Sequence, residues 1–166
     1  AMGHQIAQYV DDAAIFGPNA HRALVDYSQL LARLGLMLHP EKVELPARQC
    51  VFLGTRIVTD GQQVVYQVTE KRRNKVIAQL KALRRTIQRG ATRTAANVAS
   101  VLGLVRACAQ ACPATLALSR PLATAVVAMQ RRAGWNRRCD IPAVELRPLV
   151  VLFQSPQLLQ TQVHHR

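Results

Sequence analysis

Near the start of the chain the sequence runs Ile6-Ala7-Gln8-Tyr9-Val10-Asp11-Asp12-Ala13-Ala14-Ile15-Phe16. Two short apolar runs, Ile6 to Val10 and Ala13 to Phe16, flank a pair of adjacent carboxylates, and Gly17-Pro18-Asn19 closes the second run. Short apolar runs on either side of a polar turn, bounded by Gly, Pro and Asn, read as a β-hairpin. Neighbouring carboxylates repel, so a turn that holds two of them costs stability unless a cation sits there. The stretch predicts an antiparallel hairpin whose tip is suited to a metal ion.

Beyond it, Asn19 is placed to cap a helix over Ala20 to Leu34. Ala23, Leu24, Tyr27, Leu30, Leu31 and Leu34 recur there at three- and four-residue spacing, and Gly35 stops the run. Leu36-Met37-Leu38 reads as a short strand and His39-Pro40-Glu41-Lys42 as a turn. Gln49 to Val58 reads as a strand containing Phe52-Leu53-Gly54, Asp60-Gly61 as a turn dipeptide, and Gln63 to Val68 as the returning strand.

From Thr69 the apolar period becomes helical. Thr69 caps a helix to about Gln88 with Val76, Ile77, Leu80, Leu83 and Ile87 on one face, and Gly90 ends it. Thr92 or Thr94 starts a second helix reaching Cys108 or Ala111, and Pro113 breaks the chain. Leu116 to Arg132 forms a third helical stretch with Pro121 as a point of interruption, and Gly134-Trp135-Asn136 reads as a linker. Pro142 to Phe153 forms a last helix, and the polar tail after Ser155 is expected to fray. The expected class is α+β: an antiparallel sheet with a helix over 1–68, an all-α bundle over 69–134, and a further segment or tail over 135–166.

Hydrophobic residues make up 49% of the 166, enough to bury a core, while aromatics are only 4%. That core must therefore be built from Leu, Val, Ile and Ala. The formal charge of +13 is unevenly placed: residues 1–68 carry five basic and six acidic side chains, residues 69–166 carry 17 basic and three acidic. A one-sided basic half points to a polyanion, most often nucleic acid. Its densest part, Lys71 to Arg93, holds Lys71, Arg72, Arg73, Lys75, Lys81, Arg84, Arg85, Arg89 and Arg93 with no acidic residue. Arg131, Arg132, Arg137 and Arg138 extend the track around Trp135, which reads as a packing anchor. Cys108 and Cys112 share a helix face, but without a second ligand pair they do not make a zinc site, and all four cysteines read as free thiols. No apolar run is long enough to cross a membrane as a helix, and no signal peptide is visible.

The order of motifs resembles reverse transcriptases of the gypsy-type retrotransposon and retrovirus lineage. Tyr9-Val10-Asp11-Asp12 matches the catalytic turn, Gly35-Leu36-Met37-Leu38-His39-Pro40-Glu41-Lys42 the helix-turn that follows, and Phe52-Leu53-Gly54 the primer grip. Ala99-Ser100-Val101-Leu102-Gly103-Leu104-Val105 resembles the thumb's Leu-Gly-Leu helix, and Cys112-Pro113-Ala114 through Ser119-Arg120-Pro121-Leu122 the segment after it. The likeness covers roughly residues 5–125, and Trp135 with Glu145-Leu146 faintly resembles DIRS-like and VIPER-type elements.

That resemblance implies a partial polymerase palm with primer grip, then a thumb-like bundle, then the start of a connection region. It implies a nucleotidyltransferase making DNA on an RNA or DNA template-primer duplex from dNTPs, with two Mg²⁺ (or Mn²⁺) ions held by Asp11 and Asp12. Tyr9 would lie near the primer terminus, and Lys42 would help pyrophosphate leave. Phe52, Leu53 and Gly54 would shape the grip, and Lys71, Arg72, Lys75, Arg84, Arg85 and Arg89 would hold phosphates without sequence preference. Gly54 reads either as a close approach of backbone to nucleic acid or as a strand bulge. The implied location is intracellular, nuclear or cytoplasmic, in a retroelement particle.

The family's third carboxylate should precede Tyr9 by several tens of residues, and only eight residues do so here. The chain is therefore expected to be inactive alone as a polymerase, and to dimerise through an exposed sheet edge. The competing reading is a non-catalytic nucleic-acid-binding or scaffold protein derived from such an enzyme.

Overall fold

A computed structural model describes residues 5–9, 12–45, 47–60 and 62–164. The chain forms an α+β fold with antiparallel pairing, divided into two compact units, residues 1–53 and residues 54–166.

In the first unit, β1 (Gln5–Tyr9) and β2 (Asp12–Phe16) pair antiparallel with Tyr9 opposite Asp12, the hairpin that the carboxylate stretch predicts. Helix α1 (Ala20–Arg33) follows, with Asn19 at its N-cap position but making no side-chain cap bond. Gly35, at φ 76, reverses the chain, and the Leu36 amide donates back to the Leu31 carbonyl at 2.9 Å. This left-handed closure is one that glycine makes without steric penalty. It also overturns the strand expected at Leu36-Met37-Leu38: the Leu36 amide is committed to closing α1, and Met37 is 93% exposed. Pro40–Lys42 makes one 3₁₀ turn, and β3 (Gln49–Phe52) ends the unit. Among its described residues Ala23 alone is buried.

The strand expected over Gln49 to Val58 is broken in two. Leu53 and Gly54 adopt φ 49 and φ 73, successive left-handed residues that turn the chain before β4 (Thr55–Thr59). In the second unit β4 pairs with β5 (Gln63–Val68), and Asp60 holds the connection by accepting from the Gln62 and Gln63 amides at 2.9 Å each. The expected tail is not frayed. After a 3₁₀ turn over Pro156–Leu158, β8 (Gln160–His164) pairs antiparallel with β5, Leu159 is buried, and Thr161 donates to the Ala111 carbonyl at 2.9 Å. A polar pattern reads as tail by composition, but its backbone groups complete a sheet edge that would otherwise lie open.

The helical part packs beside this sheet. Helix α2 (Glu70–Gln88) is capped by Thr69, whose hydroxyl accepts from the Arg72 amide. Thr94 caps α3 (Ala95–Arg106) by accepting from the Asn97 amide. The third helical stretch splits into α4 (Ala114–Leu118) and α5 (Arg120–Ala133), because Pro121 sits in the first turn of a new helix rather than inside an old one. Pro148 acts in the same way for α6 (Arg147–Gln154), which starts later than Pro142. Short strands β6 (Arg93–Thr94) and β7 (Arg138–Cys139) pair antiparallel. Val76, Leu80, Leu83, Val98, Val105, Leu122, Met129, Leu149, Phe153 and Leu159 share one core.

The unit boundary thus falls at 53/54, whereas the composition shift lies at 68/69. The β4–β5 hairpin belongs with the helices because Val68 packs on their core, and residues 135–166 supply Leu146, Leu149, Val150, Leu152 and Phe153 to it. All four cysteines are free thiols. Among the described residues no helix is long and apolar enough to cross a membrane.

Candidate nucleic-acid interface and carboxylate turn

The first unit carries the carboxylate turn. Asp12 opens β2, exposed and in register with Tyr9. Val10 and Asp11 lie outside the described residues, as does the side chain of Tyr9, so the described part of the turn supplies one metal-ligand candidate, Asp12. Among the described residues no three of His, Cys, Asp or Glu come together as a metal cage. Lys42 is exposed at the end of the Pro40–Lys42 turn and makes no ion pair with Asp12. Phe52 is half-buried at the end of β3, and Leu53 is 37% exposed in the left-handed turn.

The second unit carries the basic helix. At roughly 100° per residue, the buried side chains Val76, Leu80, Leu83 and Thr86 define one side of α2. Lys71, Lys75, Lys81, Arg84, Arg85 and Arg89 fall on the rest and are exposed. The acid nearest to them is Glu70 in the first turn, 3.7 Å from Arg73.

Arg72 stands apart from that face. It is half-buried, its Nη1 donates to the Ala107 carbonyl at 3.4 Å, and its guanidinium lies across Gly54. A Cβ on Gly54 would meet Arg72 Nε at 2.5 Å and Cζ at 2.6 Å. Gly54 also anchors α2: its carbonyl accepts from the Thr69 amide at 3.3 Å and the Thr69 hydroxyl at 3.0 Å. The group that approaches this glycine closely is therefore a side chain of its own unit.

Other cations of the track are tied back. Arg93 reaches the Thr86 hydroxyl at 3.3 Å, and Arg138 reaches the Thr92 hydroxyl at 3.2 Å and the Thr92 carbonyl at 2.9 Å. Arg131, Arg132 and Arg137 are exposed. Trp135 is not the packing anchor expected: its side chain is 51% exposed, and its carbonyl, by accepting from the Ala96 amide at 3.1 Å, is what ties this segment to α3.

A second basic feature lay hidden in the sequence. An open pocket of about 550 Å³ is lined by Arg56, Gln67, Glu70, Arg73 and Gln160, with Val68, Pro156 and Leu159 as its apolar wall. Arg56, Gln67 and Gln160 form one cross-strand row over β4, β5 and β8. A two-residue turn at Asp60-Gly61 would have put Arg56 opposite Val65; the observed register puts it opposite Gln67, and Gln160 was unreachable while the tail read as frayed. No protein-family model, no curated protein and no solved structure matches this chain.

Proposed function

We propose that this chain is part of a retroelement-type reverse transcriptase, residues 1–68 palm and primer grip, residues 69–134 thumb and residues 135–166 the start of a connection region or tail, and that its second unit binds the phosphate backbone of a template-primer duplex. The observation that carries the binding reading is the outward side of α2. Six exposed cations lie along it, with no acidic residue between Lys71 and Arg93. A merely solvated helix face mixes signs, because like charges one turn apart repel. A one-sign face suits contacts to phosphates, which give affinity to any sequence and so permit movement along a template.

The polymerase assignment is supported by the motif order and by the antiparallel hairpin that carries Asp12 opposite Tyr9. Asp11 and Asp12 are the proposed holders of Mg²⁺ or Mn²⁺, which would lower the barrier to phosphoryl transfer by stabilising the entering and leaving oxygens. Lys42, exposed on its turn, is free to approach a phosphate.

Titrating the chain into a fluorescently labelled RNA–DNA hybrid over a range of salt tests the binding. If every exposed α2 cation meets a phosphate, log K falls with log salt at a slope near −5, from about 0.9 per contact. Lys75→Gln with Arg85→Gln is expected to flatten that slope by about 2. Binding that ignores salt sinks the reading, and binding that Mn²⁺ and Asp12→Asn leave untouched favours the non-catalytic alternative.

A further inference from the structure

The pocket between the sheet and the start of α2 is separate from the exposed α2 face and does not depend on the polymerase reading. Its lining includes two arginines, Arg56 and Arg73, with Gln67 and Gln160 beside them and one acid, Glu70. Arg73 is the informative member. Its Nε is shut off from solvent and has no hydrogen-bond partner, although the side chain as a whole is 23% exposed. A shielded, unpaired donor on a charged group is costly; since water does not reach Nε, a ligand in the pocket would meet the part of the side chain that stays exposed. The other end of Arg73 is held only loosely, its Nη2 3.7 Å from Glu70, whose side chain is 79% exposed.

The row beside it is already organised. Gln67 donates to Gln160 at 3.1 Å, which fixes both amides and leaves the Gln160 nitrogen as a donor. Arg56 stands opposite Gln67 on the same row. Donors therefore outnumber acceptors around the pocket, and guanidinium forks match tetrahedral and planar oxyanions by paired hydrogen bonds. At about 550 Å³ the pocket falls in the size range of small-ligand sites and is wider than one inorganic anion needs. Its apolar wall of Val68, Pro156 and Leu159 can cover the organic part of a larger molecule.

We propose that this pocket binds a phosphate group, with Arg73 and Arg56 as the recognising side chains and the ligand displacing Glu70 from Arg73. The phosphate comes either from a nucleic-acid strand or from a free nucleotide, and the two sources share this chemistry. The displacement fixes the direction of one further variant: Glu70→Gln tightens binding, because the competing carboxylate is gone.

Calorimetric titration of the full chain with inorganic phosphate, adenosine 5′-monophosphate and a short RNA–DNA hybrid tests the site. Arg56→Gln and Arg73→Gln are each expected to weaken monophosphate binding about tenfold or more. Arg120→Gln, at an exposed arginine outside both the pocket and the α2 face, is expected to leave it within twofold. Arg73→Lys, which keeps the charge and loses the fork, guards against a folding defect and is expected to weaken binding with an unchanged circular dichroism spectrum. A loss of monophosphate binding with hybrid affinity intact identifies a free nucleotide as the source, and a parallel loss of hybrid affinity identifies a strand. The proposal is overturned if the wild-type chain binds none of the three probes saturably, or if the two arginine variants bind them like wild type. Failure of the outward-face variants to change hybrid binding would count against the polymerase-type interface and leave the pocket standing.

Discussion

Replacing Gly54 with alanine probes the most constrained point of the second unit, and the cost can be worked from its geometry. Gly54 sits at φ 73, where an L-residue's Cβ crowds its own backbone at a cost of about 1–2 kcal/mol. The added methyl also meets the Arg72 guanidinium at 2.5, 2.6 and 2.9 Å from Nε, Cζ and Nη2. The guanidinium is the end of a flexible chain and can swing away, so the clash does not add a core-overpacking penalty. What it forfeits is the bond from Nη1 to the Ala107 carbonyl, which at 3.4 Å belongs at the weak end of the usual range, about 0.5–1 kcal/mol. Gly54→Ala should therefore destabilise by about 1.5–3 kcal/mol in total.

A double-mutant cycle separates the two parts. In an Arg72→Ala background the alanine methyl has no guanidinium to displace, so only the backbone part remains, and the double variant should be less destabilised than the sum of the singles by about 0.5–1 kcal/mol. Urea unfolding followed by far-ultraviolet circular dichroism, with equal slopes across the four proteins, gives the values. Additivity within about 0.3 kcal/mol would show that Arg72 is not seated over Gly54. A neutral Gly54→Ala would show that the left-handed turn at Leu53-Gly54 is absent, and with it the reason for dividing the expected Gln49 to Val58 strand.

Leu80 is completely buried at the centre of the helical core, so Leu80→Ala should cost about 3–5 kcal/mol in the same unfolding assay; a loss below about 1 kcal/mol would contradict the packing. Thr161→Val removes the donor that satisfies the carbonyl of buried Ala111 and should cost about 1–2 kcal/mol, whereas a truly frayed tail would register nothing. Burial pushes the Cys108 thiol up from 9.0 to about 11, against the opposing pull of the Arg72 guanidinium. A raised folded value means the native state keeps a proton that the unfolded chain has lost. The stability contributed is therefore complete below about pH 9 and declines as pH rises through about 11. Wild type should lose stability relative to Cys108→Ala across that window, and a constant difference from pH 8 to 11 would refute the burial of this thiol.

How much of this was legible from the sequence depended on whether the signal was local. The Tyr9–Asp12 pairing, the Thr69 cap and the apolar stripe of α2 are set by neighbours within a few residues and stand where the pattern put them, and Thr94 is the one of the two offered threonines that caps α3. Pro121 read as a point of interruption and the stretch does divide there; Pro121 and Pro148 each occupy a helix's first turn, where a missing amide costs nothing. Leu53 hid the turn at its position, because a branched apolar residue gives no warning of a positive φ, and only the following glycine hinted at it. The least legible element was β8. Gln-Thr-Gln-Val-His has no apolar face of its own, and its place is decided by the open edge of β5, nearly a hundred residues away. The Arg56 and Arg73 pocket inherits that difficulty, since Gln160 and Gln157 enter it through the same long-range closure.

The energetics of α2 connect these levels. Lys71 with Lys75, Lys81 with Arg85, and Arg85 with Arg89 each place like charges four residues apart, at a cost of about 0.2–0.5 kcal/mol per pair. An isolated helix of this length is marginal in water, and the repulsion lowers its stability further. What holds it is the opposite side, where Val76, Leu80 and Leu83 are buried, together with the Thr69 cap fastened to the Gly54 carbonyl. Core burial at about 1.5–3 kcal/mol per large apolar side chain outweighs the repulsion several times over, so the helix persists with its charge unneutralised. The first unit shows the reverse balance: Ala23 is its one buried residue among those described, while Ile6, Leu30, Leu34, Leu36 and Met37 are all exposed. Charge repulsion can be tolerated only on an element whose other face is well packed. That is why the candidate polyanion interface is built on the unit with the continuous core.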